Sequence, residues 1–228
     1  MSYFPMFIEL SGKNCLIVGG GKVALRKIRV LQEFGANVTV VAPDFIEEIR
    51  IMSATVSSGK KQIAQESDWD GKGKASGKLM LCQKAFEETD LERMELVVAA
   101  TDEKELNHCI SQMCQERRIP CNAVDQIEDC SFIFPAYVKE GEVVAAFSSG
   151  GQSPVITQYL KKEMKPVLTE NLGKIAECLG TLRQEVKETV TTEAERKRCY
   201  EELLQLGLEK DEVPTEKEIA VILKKYQK

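Results

Sequence analysis

The stretch "NCLIVGGGKVALRK", residues 14–27, decides the fold. The apolar run 15–18 enters three consecutive glycines. Beyond them Val23, Leu25, Ile28, Leu31 and Phe34 recur close to helical spacing. A buried strand that exits through a glycine turn into an amphipathic helix reads as the start of a βαβ unit. With Gly19 as the first glycine, the run has the form Gly-x-Gly-x-x-Ala, with Gly21 second and Ala24 third. In that register Gly19 makes the tight turn and Gly21 lets a pyrophosphate approach the backbone. Ala24 lets the helix pack on the strand, and Gly20 widens the turn. The helix start at Lys22 and Val23 then offers free amides to phosphate. A purely structural turn is the competing reading. The strand before, the helix after and a second strand beyond favour nucleotide binding.

Working outward, Gly35 stands where a helix C-cap favours glycine, and the β-branched run 37–42 reads as a second strand. The end of that strand is where a carboxylate about 20 positions on usually grips a ribose. Ala42 and Pro43 offer none. Asp44 is the nearest acid, and it also suits the N-cap of a helix over 45–54. No arginine stands beside it, which favours NAD over NADP. Further strands are expected at 78–83, 96–100 and 119–124, with a helix over 103–118 capped by Thr101 or Asp102. This alternation argues a parallel sheet covered by helices. The polar segment 57–78 reads as a long exposed loop that Trp69 pins to the body.

After residue 125 the texture changes. Two apolar runs around "KEGE" within 131–151 read as an antiparallel hairpin. From Ser153 onward the chain reads as helical, with Ser153 as N-cap and Pro154 at the first helical position. The segments 165–190, 192–206 and 214–227 each carry a helical pattern. The expected architecture is α/β: a Rossmann-like parallel sheet domain over 1–118, a small β unit over 119–150, and a helical domain over 151–228.

The chain has 228 residues and a formal net charge of −5, which disfavours a nucleic-acid surface. The N-terminal residues carry no basic region like that of a signal peptide, and no apolar run approaches the roughly 20 residues of a membrane span. Eight cysteines form no C-x-x-C pair. The run Cys109, Cys114, Cys121, Cys130 matches no tight ligand motif, so no metal site is expected, and the thiols read as reduced in a cytoplasmic protein. His108, the only histidine, reads as structural or surface.

The ordered set "FPMFIEL", "CLIVGGGKVALRK", "VTVVAP", "VVAATDEKELN", "CNAVD", "SFIFPA" and "SSGGQSP" resembles the precorrin-2 dehydrogenases of sirohaem synthesis. The likeness covers roughly residues 3 to 185. The 57–78 segment is longer than the usual connection there. No methyltransferase part follows within this chain. The resemblance implies oxidation of precorrin-2 to sirohydrochlorin with NAD as hydride acceptor, a tetrapyrrole substrate and a homodimer built through the hairpin. It also implies Asp125, which ends "CNAVD", as general base, and Asn122 as a residue shaping the same site. Independently, Asp125 closes an expected strand at the edge where open α/β sheets bind ligands. A solvated loop aspartate is the competing reading.

Ser131 matches a serine near the tetrapyrrole pocket in the family, or it is a strand-start serine bonding local backbone. Ser149, Gly150, Gly151 and Ser153 offer an anion site for substrate carboxylates, against a plain linker into a capped helix. Lys161, Lys162 and Lys165 add positive charge nearby, or form a solvated face. Some family members also insert iron into sirohydrochlorin. The sequence supplies no second base or metal-handling group, so a dehydrogenase is favoured over a bifunctional chelatase. A non-enzymatic NAD-sensing module is the remaining alternative.

Overall fold

The computed structural model describes residues 3–57 and 77–227. The Trp69 expectation and nearly all of the 57–78 loop lie outside these residues. The chain divides into two compact units, Met1–Phe134 and Pro135–Lys228.

The first unit is a five-stranded parallel sheet. Its strands are β1 (Asn14–Val18), β2 (Asn37–Ala42), β3 (Leu79–Gln83), β4 (Leu96–Ala99) and β5 (Cys121–Ala123), in the order β3-β2-β1-β4-β5. The order reverses between β1 and β4, so β1 is central, with Ile17 opposite Val40 on one side and Val98 on the other. Helices α1 (Lys22–Glu33), α2 (Glu47–Ser57) and α3 (Lys104–Glu116) connect the strands. Period-two alternation sorts the strand side chains into two cores. Cys15, Ile17, Val38, Val40 and Val98 pack with Ile28 and Leu31 of α1 and Ile49 of α2. Leu16, Val18, Val41, Val97 and Ala99 pack with Ile110 and Cys114 of α3. Burial on both faces explains why the core runs of β1 and β4 read as unbroken apolar stretches.

The second unit opens with a hairpin of β6 (Ala136–Glu140) and β7 (Val143–Phe147), turned at Gly141 with φ +58°. Helices α4 (Pro154–Met164), α5 (Glu170–Thr181), α6 (Arg183–Thr189), α7 (Glu193–Lys210) and α8 (Glu216–Tyr226) follow. Val186, Val190, Cys199, Leu203, Ile222 and Leu223 form its core. Gly173 lets α5 close on β6, since a Cβ there would lie 2.8 Å from the Glu140 carbonyl oxygen.

Several boundaries differ from the sequence expectation. The units part at 134/135, because β5 pairs with β4 inside the sheet while the hairpin packs on α4 and α5. Residues 131–135 are irregular. The 165–190 run is not one helix. Thr169 caps α5 by accepting the Leu172 amide, and Leu182 separates α5 from α6. Asp44 does not cap α2, which starts at Glu47. Its carboxylate accepts the Phe45 amide instead. Neither Thr101 nor Asp102 caps α3. Glu103 is the N-cap residue, and buried Asn107 draws the Thr101 hydroxyl to itself at 2.8 Å.

The last residues of the first unit are pinned to α1. Lys27 Nζ lies 3.6 Å from the centre of the Phe134 ring, which stacks tilted on Phe132 at 5.2 Å. Burial, aided by the charge of Arg26 and opposed by Cys130, pushes the Lys27 ammonium down to about 8. The folded state therefore holds this proton less tightly than the unfolded chain. From about pH 8 to about 10.4 the unfolded chain binds more protons, so stability gains with rising pH. Lys27→Met removes that gain. Urea denaturation across this window should show the parent rising relative to the variant, by at most about 1.4 kcal/mol per pH unit. Parallel pH profiles would refute the assignment.

Candidate functional site

The carboxyl edge of the parallel strands is where β1, β2, β4 and β5 release their loops. Gly19 leaves β1 with φ +126°, a conformation that L side chains rarely adopt. A Cβ on it would lie 2.2 Å from the Ala100 carbonyl oxygen after β4. A Cβ on Gly20 would lie 2.0 Å from the Asp44 carbonyl oxygen after β2. Gly20 also accepts the Ile46 amide at 3.0 Å. It is therefore a point of close backbone approach, beyond the widening expected from sequence.

Gly21 is different. Its φ is −93°, and a Cβ there would meet nothing within 4 Å. The fold does not require glycine at this position. It is the N-cap residue of α1 and supplies no side-chain cap. The first α1 bond into it runs from the Leu25 amide to the Gly21 carbonyl, 3.0 Å. The amides of Lys22, Val23 and Ala24 thus precede the helix ladder and remain for an external acceptor. Helices α4, α5, α7 and α8 are capped by the hydroxyls of Ser153, Thr169, Thr192 and Thr215. Ala24 is fully buried against the sheet, as the Gly-x-Gly-x-x-Ala reading requires. An open glycine, a helix start without a side-chain cap and its dipole fit the pyrophosphate of a dinucleotide.

Beside this turn lies the end of β2. Ala42 is buried, while Pro43 and Asp44 are exposed. The Phe45 amide and the guanidinium of Arg50, 2.5 Å from Asp44 Oδ1, hold the Asp44 carboxyl below the usual carboxylate range. Arg50 was invisible to the local sequence reading, because it reaches back from α2. On the other side of the turn, Thr101 is wound onto Asn107. Asn107 Nδ2 donates to the Thr101 carbonyl at 3.0 Å, and its Oδ1 accepts the Thr101 amide at 3.2 Å. Asn107 was missed in the sequence. A buried carboxamide early in a helix after β4 is the signal that could have found it.

Asp125 sits two residues beyond β5, next to this edge. The Val124 amide donates to the Ala99 carbonyl at 2.9 Å, so the β5 exit adjoins the β4 exit that Gly19 also touches. Asp125 is exposed and held at φ +60°, a left-handed conformation that aspartate tolerates better than most residues. Its carboxylate has no hydrogen-bond or ion-pair partner among the described residues.

The surrounding side chains hold that turn. Asn122, buried, donates Nδ2 to the Phe132 carbonyl at 3.1 Å. Ser131 Oγ accepts the Cys121 amide at 2.8 Å, while the Ser131 amide donates to the Cys121 carbonyl at 2.9 Å. The Cys130 thiol donates to the Ala123 carbonyl at 3.1 Å. Buried Asp129 lies 2.7 Å from His108 Nδ1 and accepts from Gln126 Nε2 at 2.8 Å. Asn122, expected to shape the site, and Ser131, expected either near the substrate or bonding local backbone, use these groups to place the Asp125 loop.

In the second unit, Ser149, Gly150, Gly151 and Ser153 form one loop. Ser149 Oγ accepts the Ser153 amide at 2.9 Å and donates to its carbonyl at 3.0 Å. Gly150 and Gly151 have φ +61° and +82°, so the glycines are needed for the turn itself. The loop leads into α4, whose Val155, Ile156 and Tyr159 are exposed. Lys161 Nζ lies 5.9 Å from the centre of the Tyr137 ring.

Residues 6–136 match the family model described as "Putative NAD(P)-binding". Among curated relatives, the siroheme synthase of Enterobacter sp. (strain 638) is 38% identical over 201 residues, covering 88% of this chain and 39% of that protein. Siroheme synthase 2 of Yersinia enterocolitica is 36% identical over 204 residues, covering 90% and 39%. The chain thus spans about two fifths of the length of these relatives. The solved structure of SirC, precorrin-2 dehydrogenase, has the same fold, with a TM-score of 0.68 at 22% identity, covering 98% of this chain and 100% of that one.

Gly20 and Gly21 should separate on substitution. Gly20→Ala is expected to destabilise the first unit, measured as a lower urea midpoint. Gly21→Asp should keep the parent midpoint and weaken NAD⁺ binding at least about a hundredfold, as a charge and a side chain displace pyrophosphate. An unchanged dissociation constant for Gly21→Asp would make the turn purely structural.

Proposed function

Given that the chain belongs to the NAD(P)-binding family whose model spans residues 6–136, we propose that it is an NAD-dependent dehydrogenase that oxidises precorrin-2 to sirohydrochlorin. One observation carries this reading. The open Gly21 turn and the unpartnered Asp125 carboxylate lie on the same sheet edge, linked through the β4 exit. A dinucleotide-sensing module needs the turn alone. A dehydrogenase needs the turn and a base beside it. The names of the relatives, siroheme synthase and precorrin-2 dehydrogenase, support the substrate class.

The reaction removes two hydrogens from the macrocycle, one as hydride and one as a proton. Bound NAD⁺ supplies the hydride acceptor. Gly19 and Gly20 set the turn, and the amides of Lys22, Val23 and Ala24 hold the pyrophosphate. Ala42, Pro43 and Asp44 border the adenosine ribose, and Thr101 borders the dinucleotide from the β4 side. Asp125 takes the proton. Its left-handed backbone, fixed through Asn122, Cys130 and Ser131, keeps the carboxylate at the edge without a competing partner.

The protein is further proposed to be a homodimer built through the hairpin. Among the described residues β6 and β7 form a two-stranded sheet of their own, in which β7 has no second strand beside it. Unpaired edges favour strand addition by a second copy. Among the described residues no helix is long and apolar enough to cross a membrane.

Purified protein given precorrin-2 and NAD⁺ should form NADH and sirohydrochlorin, read by their absorbance spectra. Asp125→Asn should lower kcat by about 10²–10⁴-fold while keeping NAD⁺ affinity. Full activity in Asp125→Asn would remove it as the base. Inactivity of a folded, NAD⁺-binding parent would leave the sensing module as the better reading. Sedimentation should give a dimer mass that a proline in β6, at Val138, lowers to that of a monomer. A concentration-independent monomer in the parent would refute the interface.

A further inference from the structure

The corner after β2 holds a paired acid and base where the sequence showed an acid alone. Asp44 Oδ1 accepts the Phe45 amide at 2.9 Å and Arg50 Nη2 at 2.5 Å. Arg50 is itself fixed. Its Nε donates to the Phe45 carbonyl at 3.2 Å, and its guanidinium lies 5.6 Å from the centre of the Phe45 ring. Both charged side chains reach solvent, at 81% exposure for Asp44 and 39% for Arg50. The corner is joined to the glycine turn, since the Ile46 amide donates to Gly20 and the Asp44 carbonyl fills the space of a Gly20 side chain.

This inference rests on the reading of that turn as a dinucleotide site. A pyrophosphate over Gly21 brings the adenosine ribose to the end of β2. A lone carboxylate there accepts the two ribose hydroxyls and repels a 2′-phosphate. Here the guanidinium cancels the charge of the carboxylate. The Nη1 hydrogens and one on Nη2 remain available, in the planar fork that suits phosphate. Asp44 Oδ2, with no partner among the described residues, remains for a ribose hydroxyl. The two ligand forms thus have separate partners at one corner.

We propose that the Asp44–Arg50 pair makes the ribose site permissive to a 2′-phosphate, so that the protein binds NADP(H) as well as NAD(H), with Arg50 setting that tolerance. Calorimetric titration of NAD⁺ and NADP⁺ into the full chain tests it. The parent should bind NADP⁺ within about tenfold of NAD⁺, a margin of about 1.4 kcal/mol. Arg50→Ala should weaken NADP⁺ at least about tenfold more than NAD⁺, the scale of a lost charge-assisted contact. Arg50→Gln, which keeps most of the stem over Phe45, should show the same selective loss. Asp44→Asn should move the preference toward NADP⁺. The proposal is overturned if the parent rejects NADP⁺ by more than about a hundredfold, or if both Arg50 variants weaken the two dinucleotides equally. A folded parent that binds neither dinucleotide fails at the earlier step, the reading of the glycine turn, and the proposal falls with it.

Discussion

Two missing side chains organise this edge of the sheet. Gly19 and Gly20 lie so close to the Ala100 and Asp44 carbonyl oxygens that a Cβ on either would overlap them. The exit of β1 is wedged between the exits of β4 and β2, its two neighbours in the sheet. That wedge brings three loops together at the switch point of a parallel sheet, where the order of strands leaves a crevice. It also aims α1 so that its first amides lie at the crevice. The third glycine takes no part in the wedge. Nothing among the described residues fills its side-chain space, which leaves the start of α1 open at the crevice.

A second constraint acts at β5. The strand is only three residues long, and its end is fixed by side chains rather than by a longer ladder. Ser131 and Cys121 exchange bonds across the returning chain, and Asn122 and Cys130 tie down residues 130–132 and 123. Asp129 anchors the same segment to His108 on α3. These bonds over-determine a turn that holds Asp125 in a left-handed conformation, which costs on the order of 1–3 kcal/mol at a non-glycine residue. The same conformation occurs at Arg93, Arg118 and Asp211, and at Asp125 it goes with an exposed carboxylate at the carboxyl edge of the sheet.

The parallel sheet was legible because burial on both faces writes strands as apolar runs, and β2 matches its expected bounds residue for residue. The glycine turn was legible because its spacing follows from backbone sterics. The partners made through space were not. Arg50 lies six residues past Asp44, and only the start of α2 at Glu47 turns it back onto that carboxylate. Asn122 and Ser131 are polar residues in the right segment, and sequence cannot tell a group facing ligand from one bonding the neighbouring backbone. Which elements pack into one compact unit is likewise decided by contacts through space. The hairpin's apolar pattern marks it as a separate element, yet Val138 is buried within the helical unit that follows.

Amide hydrogen exchange, with and without saturating NAD⁺, tests most directly that the β1–α1 turn holds a dinucleotide. Slowed exchange is expected at the amides of Gly21, Lys22, Val23 and Ala24 and at the Asp44–Phe45 corner, with α7 and α8 unchanged. Saturating NAD⁺ that leaves exchange at those four amides unaltered would contradict it.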